Sequence, residues 1–148
     1  MSNDADSNMR AFNSNMCTEV SNEKWESRKI YTELNEEQFK AILHDTANTH
    51  IFIKFSASWC KPCNLIKTAC DTHFATLPKD AIIVDINIDD TLDLYSVFKR
   101  KKMLNGIPTI LYYNTTETRD RWFIPDDSVS GGDVTEVARF FKRCMATT

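Results

Sequence analysis

The chain has 148 residues, 42% of them hydrophobic, which fits one domain with one ordinary core and leaves no room for a second. A formal net charge of -3, with acidic and basic residues interleaved, lacks the electrostatic footprint of nucleic-acid binding. No stretch approaches the roughly 18 consecutive apolar residues of a membrane helix, and residues 1–9 carry Asp4 and Asp6 without an apolar run, so a soluble, cytoplasmic protein of a reducing compartment with no membrane partner is expected.

Residues 1–24 are rich in Asn, Ser, Asp and Glu, too polar to offset the entropy of ordering, and are expected to form a mobile tail ahead of a domain at 25–148. Residues 29–33 read as a first strand. Asn35 with Gln38 three positions on is a capping-box pattern, predicting a helix to about His44 with Phe39, Ile42 and Leu43 facing a core. The apolar runs 51–55 and 81–88 suit strands buried on both faces, as in a parallel sheet, and 60–77 between them reads as a helix. Strand, helix and strand at this length form a right-handed parallel crossover. A helix at 92–103 carries Leu94, Val97 and Phe98 on one side, and its basic end, Lys99 to Lys102, complements the helix dipole as a solvated terminus. Residues 109–113 and 121–124 read as two strands joined across the polar stretch 114–120. Asp133 caps a last helix, with Glu136 completing a box and Val134, Val137, Ala138 and Phe141 as its core stripe. The fold class is α/β with an antiparallel edge.

The five cysteines, Cys17, Cys60, Cys63, Cys70 and Cys144, are odd in number and irregularly spaced, which argues against a disulfide-stapled scaffold. One pair carries a chemical signal. Trp59-Cys60-Lys61-Pro62-Cys63 sits where a buried strand hands over to a helix, placing Cys60 beside unpaired backbone N–H groups that favour a thiolate. Cys60 is then the nucleophile, and Cys63, one turn on, is the resolving thiol. Pro62 suits the first helical turn, where its missing N–H costs nothing. Half of a zinc site would need two further ligands, and His44, His50, His73, Cys70 and Cys144 supply no second paired cluster, so no metal is expected.

Phe55-Ser56-Ala57-Ser58-Trp59-Cys60-Lys61-Pro62-Cys63 resembles the active-site segment of the thioredoxin family, and Gly106-Ile107-Pro108-Thr109 resembles its second signature. The resemblance implies a thioredoxin fold, a mixed sheet of about five strands flanked by about four helices. It also implies a thiol-disulfide oxidoreductase that reduces protein disulfides, needs no cofactor beyond the Cys60–Cys63 couple, works as a monomer and is recharged by a thioredoxin-reductase-like donor. In the family the proline matching Pro108 is cis and lies against the cysteines, which makes Ile107 the substrate-docking residue here. Statistics alone favour trans, since only about one X–Pro bond in twenty is cis in folded proteins.

Three positions depart from the family. Lys54 stands where most thioredoxins bury an aspartate. Period-2 alternation puts Lys54 and Asp85 on one face of adjacent strands, so the two are expected to pair, with either a proton-relaying or a purely structural role. Lys61 replaces a glycine; an added cation beside Cys60 favours the thiolate and a more oxidising couple, unless solvent screens it. Thr68 replaces a kinking proline, implying a straighter helix. Cys70, seven residues beyond Cys63, is about 10 Å along the same helix and reads as core, as does Cys144, with a regulatory thiol as the lesser alternative. Besides the reductase, two readings stay open: a more oxidising oxidase or isomerase, and a binding module that keeps the fold to dock a partner.

Overall fold

A computed structural model describes residues 29–45 and 47–146. The readings of a tail over 1–24 and of Cys17 lie outside the described residues. In chain order the elements are β1 (Lys29–Tyr31), α1 (Glu36–His44), β2 (His50–Ser56), α2 (Lys61–Ala75), β3 (Ala81–Asn87), α3 (Asp93–Arg100), β4 (Thr109–Asn114), β5 (Asp127–Ser130) and α4 (Val134–Ala146). The strands form one mixed sheet in the order β1-β3-β2-β4-β5. The pairings β1–β3 and β2–β3 are parallel, while β4 runs antiparallel to both β2 and β5.

Alternation along β2 builds a core on each side of this sheet. Ile51, Ile53 and Phe55 join Phe39 and Ile42 of α1 and Leu94 and Phe98 of α3 on one face. Phe52 points to the other, among Phe74 of α2 and Phe140 and Phe141 of α4, with ring centroids 5.3 to 6.2 Å apart. Both faces of β2 and β3 are covered, which is why their sequences read as continuous apolar runs.

The helix boundaries follow local chemistry. Asn35 Oδ1 accepts from the Gln38 amide at 2.8 Å, and Gln38 Oε1 accepts from the Asn35 amide at 2.9 Å, closing the expected capping box. At α4 the Asp133 carboxylate accepts from the Thr135 amide at 2.8 Å, but Glu136 turns outward to Arg139 at 2.7 Å instead of completing a box. Helix α3 ends at Arg100, earlier than the sequence predicts, because Lys102 takes a positive φ of 61°. The Met103 amide then reaches back to the Phe98 carbonyl at 2.9 Å and that of Lys102 to Lys99 at 3.0 Å, a Schellman closure with lysine in the glycine position. Within the basic run, Lys101 is half-buried and lies 4.5 Å over the Phe123 ring.

One strand is misplaced by the sequence reading. The partner of β4 is Asp127–Ser130, whereas residues 121–124 are turns. Trp122 and Phe123 are turned inward against the α1–α3 core, Trp122 lying 5.9 Å from Phe98 and 6.3 Å from Phe39. The Phe123 carbonyl accepts from Tyr113 Oη at 2.8 Å rather than from a ladder. Arg119 holds the connection shut through the Asn114 and Ile124 carbonyls and the Asp126 carboxylate, at 2.6 to 2.8 Å.

Candidate functional site

Two parallel strands and one antiparallel strand bring their ends to the start of α2, where the expected chemistry sits. Cys60 is the N-cap residue of α2, in extended conformation at φ -86° and ψ 113°. Cys60 and Cys63 are joined as a disulfide. The Cys63 amide points at Cys60 Sγ from 3.3 Å, and the Asn64 amide donates to the Cys60 carbonyl at 3.1 Å, so one sulfur receives an otherwise unpaired donor of the helix start. Asn64 also ties the preceding turn to the helix through the Ser58 carbonyl at 3.1 Å. Lys61 is exposed, its ammonium free to hydrate.

The second signature lies across from this turn. The Ile107–Pro108 bond is cis, and the Ile107 carbonyl oxygen stands 3.8 Å from Cys60 Sγ. The Pro108 carbonyl in turn accepts from the Gly131 amide at 3.0 Å, fastening this loop to the end of β5. Gly131 has a φ of 98°, a region glycine enters freely. Gly132 packs so closely on α2 that a Cβ there would stand 3.0 Å from Pro62 Cα. Disulfide, cis-proline loop and the β5–α4 connection are thereby locked together.

Trp59 is 67% exposed, yet its indole N–H donates to Asp89 Oδ2 at 2.7 Å. Sequence reasoning missed Asp89, Gly131 and Gly132. Asp89 follows directly on β3 at the same sheet end as the cysteines, and only that positional hint was available.

Behind Cys63 opens a polar cavity of about 890 Å³. Lys54 and Asp85, register partners across β2 and β3, both line it, with Lys54 Nζ 3.8 Å from Asp85 Oδ1. The Lys54 side chain is 5% exposed and that of Asp85 39%. Cys70 and Cys144 are fully enclosed in the α2–α4 core layer. Desolvation pushes the Cys70 thiol up to about 11 and raises that of Cys144 further, so both stay protonated and unreactive near neutrality. His50, whose Nδ1 is 2.7 Å from Tyr112 Oη, is held below the usual histidine range by burial, partly countered by Asp80. His73, stacked 4.7 Å from the Phe141 ring, is lowered for the same reason.

Comparison with known proteins agrees with this geometry. The thioredoxin family model matches residues 30–125. A thioredoxin from Ophiophagus hannah is 34% identical over 89 residues, 60% of this chain and 78% of that protein. Thioredoxin 3 of Plasmodium falciparum is 27% identical over 121 residues, 78% of this chain, and the chain spans 60% of that longer protein. Among solved structures, a Plasmodium falciparum thioredoxin superposes with a TM-score of 0.59 at 22% identity, covering 80% of this chain and 88% of that one, a likeness of fold. The chain belongs to the thioredoxin family of thiol-disulfide oxidoreductases.

Proposed function

We propose that this protein reduces disulfides in other proteins, with Cys60 as nucleophile and Cys63 as resolving thiol. The observation that carries the reading is the placement of Cys60 Sγ at the N-cap of α2, facing the Cys63 amide at 3.3 Å and the Ile107 carbonyl at 3.8 Å. A hydrogen-bond donor at the sulfur favours the thiolate, the species that attacks. In the first step the Cys60 thiolate bonds to one sulfur of the substrate and expels the other as a thiolate, which takes a proton from water. Cys63 then attacks Cys60 Sγ, the Cys60–Cys63 bond forms, and the second substrate sulfur leaves with the electron pair and takes a proton from water. The substrate is reduced and the enzyme oxidised by the same two electrons.

Ile107 and Pro108 form the seat for the peptide, the backbone of Ile107 pairing with an extended chain beside the attacked disulfide, and exposed Trp59 covers one flank. A dithiol donor of the thioredoxin-reductase type returns the enzyme to its reduced form, in a reducing cytoplasm, with the protein acting as a monomer and needing no cofactor besides the couple itself. Insulin reduction tests the reading: wild type precipitates the freed chains, Cys60→Ser is inert, and Cys63→Ser accumulates a mixed disulfide. A Cys60→Ser variant as active as wild type would reject it.

A more oxidising role draws support from one residue. Lys61 is exposed immediately beside Cys60, and a cation there favours the reduced, ionised form and raises the potential. A potential no higher in wild type than in Lys61→Gly rejects that second reading.

A further inference from the structure

We propose that Lys54, seated in the cavity behind Cys63 and tethered by Asp85, is a positioning residue that holds the Cys63 sulfur as a thiolate during the resolving step; the inference rests on Cys60 and Cys63 acting as the dithiol couple.

Resolution needs an anion at Cys63. That residue is 3% exposed, and burial alone favours its neutral thiol, which attacks poorly. The compensating charge is at hand. Lys54 and Cys63 line the same cavity, and Lys54 is a cation whose side chain is 5% exposed. A buried ammonium persists only where an anion offsets its desolvation, and Asp85 at 3.8 Å supplies it. The pair is asymmetric: the Asp85 side chain is 39% exposed against 5% for Lys54, so water screens the carboxylate more than the ammonium.

The other charges facing this space are all at its rim. Lys67 and Asp71 on α2 pair with each other at 3.6 Å, and Glu33, Asp89 and Asp90 are exposed, Asp89 being engaged by Trp59. Cys70 beneath stays neutral. Lys54 is therefore the best-shielded charge near the resolving sulfur. An ammonium has no lone pair and takes no proton, so the Cys63 proton leaves through the open cavity to water, with Asp85 as acceptor on the way. Cys63 then forms the bond to Cys60 Sγ, the bond from Cys60 to the substrate sulfur breaks, and the departing thiolate collects a proton from solvent.

The test is stopped-flow reaction of the reduced protein with a nitroaryl disulfide whose released thiolate is coloured, from acid to alkaline pH, in chains carrying Cys17→Ala so that the active couple alone reports. The first release reads attack by Cys60 and the second reads resolution by Cys63. Lys54→Met is expected to slow the second release on the order of tenfold near neutral pH and to move its midpoint to higher pH, with the first release unchanged. Lys54→Arg, which keeps the cation, restores the midpoint. A second-release midpoint that stays put in Lys54→Met, with only thermal stability lost, overturns the proposal. Should Lys54→Met not fold, Lys54→Gln takes its place, and an unmoved second-release midpoint there also overturns the proposal. Absence of the first release in wild type strikes instead at the couple itself.

Discussion

The indole of Trp59 is bound to the carboxylate of Asp89 at 2.7 Å although the ring is two-thirds exposed, at 67%. One hydrogen bond thus fixes a large apolar surface next to Cys60, on the flank proposed above for the substrate peptide. Asp89→Ala leaves the ring free to rotate, and the entropy of refixing it falls on each binding event. A charged hydrogen bond of this kind contributes about 1 to 2 kcal/mol, so kcat/KM for insulin reduction is expected to fall by roughly tenfold, with Asp89→Asn losing less. Equal kcat/KM for Asp89→Ala and wild type would remove Trp59 positioning from the mechanism.

Gly132 has no room for a side chain. An added Cβ meets Pro62 Cα and Cβ at 3.0 Å and the Pro62 carbonyl oxygen at 3.1 Å, and two of these three atoms are backbone that cannot swing aside. Gly132→Ala is expected to cost about 1 to 3 kcal/mol in urea unfolding and to shift the potential of the Cys60–Cys63 couple, because the first turn of α2 must move. An unfolding midpoint matching wild type would show that the turn yields freely.

Arg143 of α4 holds Asp127 of β5 with two hydrogen bonds of 2.8 and 2.9 Å. The Arg143 guanidinium, first of all by hydrogen bonding, keeps the Asp127 carboxyl below the usual carboxylate range. A depressed folded-state value gives stability that is complete above the unfolded value of about 3.9 and is lost as pH falls through the folded one. Arg143 is 49% exposed, so solvent screens the pair and its worth is about 1 kcal/mol. Asp127→Asn should therefore unfold more easily than wild type at neutral pH, and the two curves should converge in strong acid. A difference that persists unchanged below that range would exclude the ion pair as its origin.

Lys102 occupies the left-handed position that closes α3, at φ 61°. A side chain there costs about 1 kcal/mol relative to glycine, which fits the Schellman closure without a Cβ contact. Lys102→Gly is expected to raise the thermal midpoint by several degrees, read by circular dichroism, with insulin reduction unchanged. A lowered midpoint would mean that the lysine side chain contributes more than its backbone costs.

The parts legible in the sequence are those whose cause is local. Asn35 and Gln38 announce α1 because the cap is made by residues three apart, and the runs in β2 and β3 announce themselves because both faces are covered. Even the Lys54–Asp85 contact follows from counting by twos along two paired strands. What escaped depends on distant parts of the chain. Asp127-Ser128-Val129-Ser130 is an edge strand with a polar outer face and shows little apolar signal, while Trp122 and Phe123 look like strand residues and are instead plugs for the α1–α3 core. Asp89 and Gly132 matter through Trp59 and Pro62, and neither relation leaves a mark in local composition.

Cys70 and Cys144 sit in the aromatic layer between α2, α4 and the sheet, where no reagent in water reaches a sulfur without parting those helices. Each is thus a silent reporter built into the scaffold. Its rate of alkylation in the native protein counts openings of that layer, and keeping pace with global unfolding would mean that the helices and the sheet come apart as one unit.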